Sequence, residues 1–152
     1  MLKLMRNKYQ DGATAVELAI VLPLLVLLIF AIIEFSLLLY NKAIITNAAR
    51  EGARYGVVWA PHDDDGTSYR VTATEIRAHT IKWLGNNLIS FDSSDARVIP
   101  ENDPSVVCSG IGLGKQVTVR VEYDYSFLFV PLQMITLSSE SSMACESSQE
   151  TS

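Results

Sequence analysis

The sequence predicts an α+β protein: a long N-terminal transmembrane helix extends into a small extracytoplasmic domain with a second helix and an antiparallel sheet. First, Ala19 to Tyr40 is an apolar run broken only by Pro23, Glu34 and Ser36, and about 20 such residues cross a bilayer as a helix. Second, a later segment repeats its apolar residues with the period of a helix. Third, another segment alternates strictly between apolar and polar residues, which is typical of a strand.

The residues before the apolar run form a short basic leader, 1–12, with three basic residues against one acid. The positive-inside rule therefore predicts a cytoplasmic N-terminus. A secretory signal peptide has a shorter apolar region that is followed by a small-residue cleavage site. Here the candidate cut precedes the apolar run, between Gly12 and Ala13, and would leave the whole helix on the mature protein.

Composition limits the remaining classes. The 152 residues carry a net charge of −5, which argues against nucleic-acid binding because that function needs a basic surface. The two cysteines, Cys108 and Cys145, both follow the membrane segment. They are able to pair if that side is oxidising, and two free thiols are the alternative.

The first helix is expected to continue beyond the membrane through Asn41 to Val58. Small residues recur along one side of this extension: Ala48, Ala49, Gly52, Ala53 and Gly56. Such residues let another helix approach closely, so we predict a partner contact there; packing on the protein's own sheet is the alternative. Arg50 and Arg54 lie on a different face, with Glu51 between them.

A loop from Pro61 to Gly66 should end this helix. Its three aspartates beside a histidine do not have EF-hand spacing, so we expect a solvated loop and no metal site. A second helix is predicted over Ser68 to Asn87, starting as late as Ala73 if Thr72 and Glu75 form a capping box. Its predicted core side consists of Ala73, Ile76, Thr80, Trp83 and Leu84.

Three strands are predicted in the remainder, over 97–99, 116–127 and 135–144, with the middle one the clearest. The tail is polar and is expected to be disordered. The predicted organisation is a leader at 1–12, a transmembrane and extended helix at 13–58 with its span at about 19–40, an α+β domain at 59–145 and a tail at 146–152.

Gly12 is followed by four residues, then by Glu17 and the apolar helix. This pattern resembles the prepilin-peptidase site of type IV pilins and pseudopilins. The block NAAREGARYG at 47–56, together with Glu34-Phe35 inside the helix, is similar to the TadE-like family of the tight-adherence (Flp) pilus machinery. The resemblance is specific over Gly12 to Gly56, and most of its specificity lies in that block.

The resemblance implies a minor pilin or pseudopilin that acts in assembly of a tight-adherence (Flp, type IVb) pilus and is cut by a prepilin peptidase between Gly12 and Ala13. It implies a single pass through the bacterial inner membrane, with the C-terminal domain periplasmic or extracellular. The expected partners are the membrane, the peptidase and other pilins or pilus-assembly proteins. The alternative is an uncleaved, membrane-anchored envelope protein whose outer domain binds a partner.

The residues expected to serve assembly or recognition are Glu17, Glu34, Ala48, Ala49, Arg50, Glu51, Gly52, Ala53 and Arg54. The resemblance implies that Glu17 neutralises the N-terminal amine of a neighbouring subunit; an acid favoured by the helix dipole is the alternative. For Glu34, an intramembrane partner contact and a side chain that reaches the outer headgroups are both open. No nucleophile motif or phosphate loop is present, so we expect no enzyme, cofactor, small-molecule substrate or nucleic-acid partner.

Overall fold

The structure is a computed structural model that describes residues 5–61, 68–85, 87–89, 95–108, 115–129 and 134–145. The chain divides into two compact units, Met1–Leu37 and Leu38–Ser152. The described part of the N-terminal unit lies within the first helix, whereas the C-terminal unit contains the end of that helix and all other described elements. The predicted tail at 146–152 and most of the predicted loop at 61–66 lie outside the described residues.

The first helix, α1, spans Met5–Val57 and confirms the predicted continuation beyond the apolar run. By length and composition it is the one helix among the described residues able to cross a membrane, and its most apolar part is not covered by protein. Pro23 lies inside it. Proline removes one backbone donor, which membrane helices tolerate because neighbouring groups satisfy the freed carbonyl.

The C-terminal unit is organised on a three-stranded antiparallel sheet of β3 (Arg97–Pro100), β4 (Gln116–Tyr125) and β5 (Ile135–Ala144), in the order β3-β4-β5. The central strand buries one face and leaves the other partly exposed, as its alternation predicts. Its buried side chains are Val117, Val119, Val121, Tyr123 and Tyr125. The predicted α+β fold class is therefore confirmed.

The second helix, α2, spans Ala73–Leu84 and begins with the predicted capping box, in which Thr72 and Glu75 each accept a hydrogen bond from the other's backbone N–H. The wider prediction of a helix from Ser68 is wrong. Ser68–Arg70 forms a strand, β2, that pairs antiparallel with β1 at Trp59–Pro61. The helix also ends before Asn87, because Gly85 takes a left-handed φ of 47° that side chains disfavour.

The core lies between α1, α2 and β4. Ile76, Thr80 and Leu84 of α2 are buried, whereas Trp83 is 38% exposed, so its predicted place in the core is wrong. The middle of the α1 side of this core is made of the small residues Ala48, Ala49 and Ala53, with the larger Ile45 and Val57 buried on either side of them. Small side chains on α1 allow its backbone to approach the sheet closely.

A short helix, α3, spans Pro104–Val107. Directly after it, Cys108 forms a disulfide with Cys145, 37 positions further along the chain, so the two cysteines are paired and are not free thiols. The Cys145 N–H donates to the Lys115 carbonyl at 3.0 Å, which continues the β4–β5 ladder by one pair. The bond therefore ties α3 to the end of the sheet hairpin.

Candidate functional site: the junction and the first helix

The predicted junction, Gly12-Ala13, lies on α1 with both residues exposed. A Cβ atom built on Gly12 would meet nothing within 4 Å. Glycine inside a helix is about 1 kcal/mol less favourable than alanine, so this position gives up helix stability without a packing reason among the described residues.

The two acids of the apolar helix lie in different environments. Glu17 is exposed, whereas Glu34 is only 4% exposed between the exposed side chains Ile33 and Phe35. Seventeen residues of helix separate them by about 25 Å at 1.5 Å per residue. The structure therefore does not bring the two predicted carboxylates together within one chain.

The small-residue face of α1 lies inside its own domain. A Cβ atom on Gly52 would lie 2.5 Å from Thr80 Oγ1 and 3.2 Å from Val119 Cγ1, and one on Gly56 would lie 2.7 Å from Ile76 Cδ1. Ala48, Ala49 and Ala53 are fully buried as well. The structure therefore favours the alternative, in which this face packs inside its own domain, because α2 and β4 occupy the space that a partner helix would need. A partner contact through this face stays a prediction.

The charged residues of the same block lie at the edge of this core. Arg54 donates from Nε and Nη2 to the two carboxylate oxygens of Glu51, at 2.9 and 2.8 Å, and this pairing lowers the pKa of Glu51 below its ordinary value of 4.5. Glu51 also lies 3.4 Å from His79 Nε2, and the His79 ring stacks on Tyr55 with centroids 4.0 Å apart. Arg50 is exposed. Glu51 therefore joins α1 to α2.

Sequence reasoning missed Asn41, which is fully buried directly after the apolar run. Its Nδ2 donates to the Ile89 carbonyl at 2.7 Å and its Oδ1 accepts from the Ile89 N–H at 2.9 Å. Tyr123 also donates to the Ile89 carbonyl, at 3.3 Å. One signal in the sequence could have indicated this role. Asparagine is unfavourable inside a helix, so its presence there suggests that its side chain has hydrogen-bond partners elsewhere in the fold.

Among the described residues, no group of three histidine, cysteine or acidic side chains is placed to hold a metal ion. The described residues provide an exposed glycine at the predicted junction, an apolar helix long enough to cross a membrane and a compact unit that contains the end of that helix.

Comparison with known proteins finds a likeness to the same family that the residues resemble, over part of the chain. The family model described as TadE-like protein matches residues 12–54, which begin at the junction and end inside the small-residue block. No curated protein and no solved structure matches the chain significantly.

Proposed function

We propose, from the TadE-like match of residues 12–54, that this protein takes part in assembly of a tight-adherence (Flp, type IVb) pilus as a minor pilin or pseudopilin. The observation that carries the proposal is the junction at Gly12, a helical glycine with open space around it. Packing does not require glycine at this position, but a protease that needs a small residue at the cut would require it.

In this proposal a prepilin peptidase cuts between Gly12 and Ala13 and removes the basic leader. The new amine on Ala13 is a cation about one turn from the exposed Glu17. A carboxylate near that level is suited to neutralise the amine of a neighbouring subunit in the low-dielectric membrane, where an unpaired charge is costly.

The proposed topology is a single pass with the leader in the cytoplasm and the C-terminal unit outside. The basic leader supports the first part through the positive-inside rule. The Cys108–Cys145 bond supports the second, because disulfides persist in oxidising compartments.

Contacts with other subunits are proposed to run along the apolar part of α1. Its large side chains, such as Ile20 and Leu24, are exposed, whereas the small-residue face further along α1 is already occupied by α2 and β4. The recognition role of the block at residues 48–54 is therefore indirect: its small residues hold the domain on the helix, and its exposed Arg50 remains accessible.

The test is complementation of a strain that lacks this chain and retains the rest of the pilus machinery. The wild-type chain and Ala15→Leu should restore surface pili, whereas Gly12→Leu should not. Ala15→Leu is the matched control because it adds similar bulk to the same exposed stretch of helix beyond the cut. Normal piliation in the strain without this chain would contradict the proposal, and piliation restored by uncleaved Gly12→Leu would favour the uncleaved envelope protein.

A further inference from the structure

An apolar patch lies at the β4–β5 connection of the C-terminal unit. We define the hairpin patch by its described exposed members: Leu128, Phe129, Met134 and Ile135, which are 45%, 41%, 61% and 43% exposed. In the sequence, no charged residue occurs between Asp124 and Glu140. The outer face of the same sheet differs sharply, since Arg97 and Arg120 pair there with acidic side chains.

Contacts within the C-terminal unit show at which end of the domain this patch lies. The β4 side chain of Val117 packs against Gly56 of α1, and that of Val119 packs against Gly52. Further along, Tyr123 and Asn41 meet at the Ile89 carbonyl. The strand therefore runs antiparallel to α1, and its C-terminal end lies where the helix enters the domain.

Distances along the two elements place the patch more closely. From Gly52 back to Leu38 the helix rises about 21 Å, and from Val119 on to Tyr125 the strand advances about 20 Å. The end of β4 is thus level with Leu38, which still belongs to the apolar run that ends at Tyr40. Leu39 and Tyr40 are themselves exposed at this level.

We propose that the hairpin patch is a second membrane contact, which enters the interfacial region of the outer leaflet beside α1. The occupant is lipid because the patch lies level with Leu39 and Tyr40, the exposed end of the apolar run within the same unit. Aromatic and aliphatic side chains without charges suit that depth, and the stretch between Asp124 and Glu140 carries no charged residue that anionic headgroups would attract. The inference depends on α1 spanning the membrane, and it does not depend on the proposed role in pilus assembly.

Such a contact has a mechanical consequence. A domain held only by one helix is free to rotate and tilt above the bilayer. A second contact at the hairpin patch fixes which side of the domain faces the lipid, and so presents the polar outer face of the sheet in one orientation.

The test uses the full chain in phosphatidylcholine nanodiscs, with tryptophan as the probe and bromine on the lipid acyl chains as the quencher. Phe129→Trp and Met134→Trp report on the patch. Ile81→Trp is the matched control: Ile81 is similarly exposed on α2, next to Thr80, which lies at the level of Gly52. All three variants also contain the native Trp59 and Trp83. The emission of these two residues is measured with the wild-type chain and subtracted.

We expect the brominated lipid to quench the added emission of both patch variants and to leave that of the Ile81 variant unchanged. Patch emission that is quenched by acrylamide in water and not by brominated lipid would overturn the proposal, because the patch would then face solvent. Emission that neither quencher reaches would also overturn it, since a second copy or another protein segment would then cover the patch. Two patch probes are used so that one misfolded variant does not decide the result.

Discussion

The α-carbon of Gly52 faces the side chain of Thr80 so closely that a Cβ atom at Gly52 would lie 2.5 Å from Thr80 Oγ1. Thr80 cannot easily turn away, because its hydroxyl donates to the Ile76 carbonyl at 2.7 Å and β-branched side chains have few rotamers in a helix. The close approach of α1 and α2 thus depends on the absence of one carbon atom.

Gly52→Ala is therefore expected to destabilise the C-terminal unit by about 1–3 kcal/mol through overpacking, less the gain of about 1 kcal/mol in helix propensity. Thermal unfolding of the full chain in detergent, followed by near-ultraviolet circular dichroism, measures the change. Gly12→Ala is the matched control and should not lower the midpoint, because nothing lies within 4 Å of a Cβ there. Thr80→Ala should relieve much of the Gly52→Ala loss; an additive double variant would show that the two residues do not compete for space.

Asn41→Ala should destabilise the domain because it leaves the Ile89 amide and one of the hydrogen bonds to its carbonyl unmade. Unsatisfied buried polar groups cost about 1–3 kcal/mol. Hydrogen exchange at the Ile89 amide should become faster in the same variant. Asn47→Ala on the exposed side of the helix is the control, and equal effects of the two substitutions would rule out this account of Asn41.

Loss of the Cys108–Cys145 bond should destabilise the unit by about 4 kcal/mol in the chain-entropy model for a loop of 37 positions. The double variant Cys108→Ser/Cys145→Ser measures this loss without a reductant. Exchange should quicken first near Gln116 and Ala144, which pair beside the bond, and later near Tyr125 and Ile135 at the other end of the hairpin. Uniform loosening of the whole hairpin would argue against a local clamp.

Acid should remove the stabilisation that Glu51 provides. The Arg54 guanidinium lowers the pKa of Glu51 in the folded protein. The stabilisation by ionised Glu51 is therefore fully present above about pH 4.5, and it is lost as the pH falls through the lowered pKa of the folded protein. Glu51→Gln should therefore flatten part of the fall in unfolding temperature between about pH 5 and 3. The effect is small because the Arg54 side chain is mostly exposed. Arg50→Gln should leave the curve unchanged, and an identical curve for Glu51→Gln would refute the pairing.

The sequence predicts the elements whose signals are local. The long apolar run, the Thr72–Glu75 capping box and the alternation of β4 each depend on neighbouring residues, and all three agree with the structure. The pairing of Ser68–Arg70 with Trp59–Pro61 was not predicted, since three-residue strands have too short a pattern to show alternation.

The sequence alone could not show what packs against the small-residue face of α1. Glycine and alanine one turn apart indicate close approach but do not name what approaches. The answer came from Thr80 and Val119, which are distant in sequence and reach Gly52 only in the folded domain. Likewise, nothing in the sequence identifies Ile89 as the partner of Asn41, because 48 positions separate them.

The intact mass of the mature chain tests the central claim most directly. Coexpression with a prepilin peptidase should yield a membrane protein whose mass and N-terminal residue correspond to Ala13–Ser152, and an inactive peptidase should leave Met1 in place. A chain that retains Met1 to Gly12 in the presence of the active peptidase would contradict the proposal of a processed, pilin-like subunit.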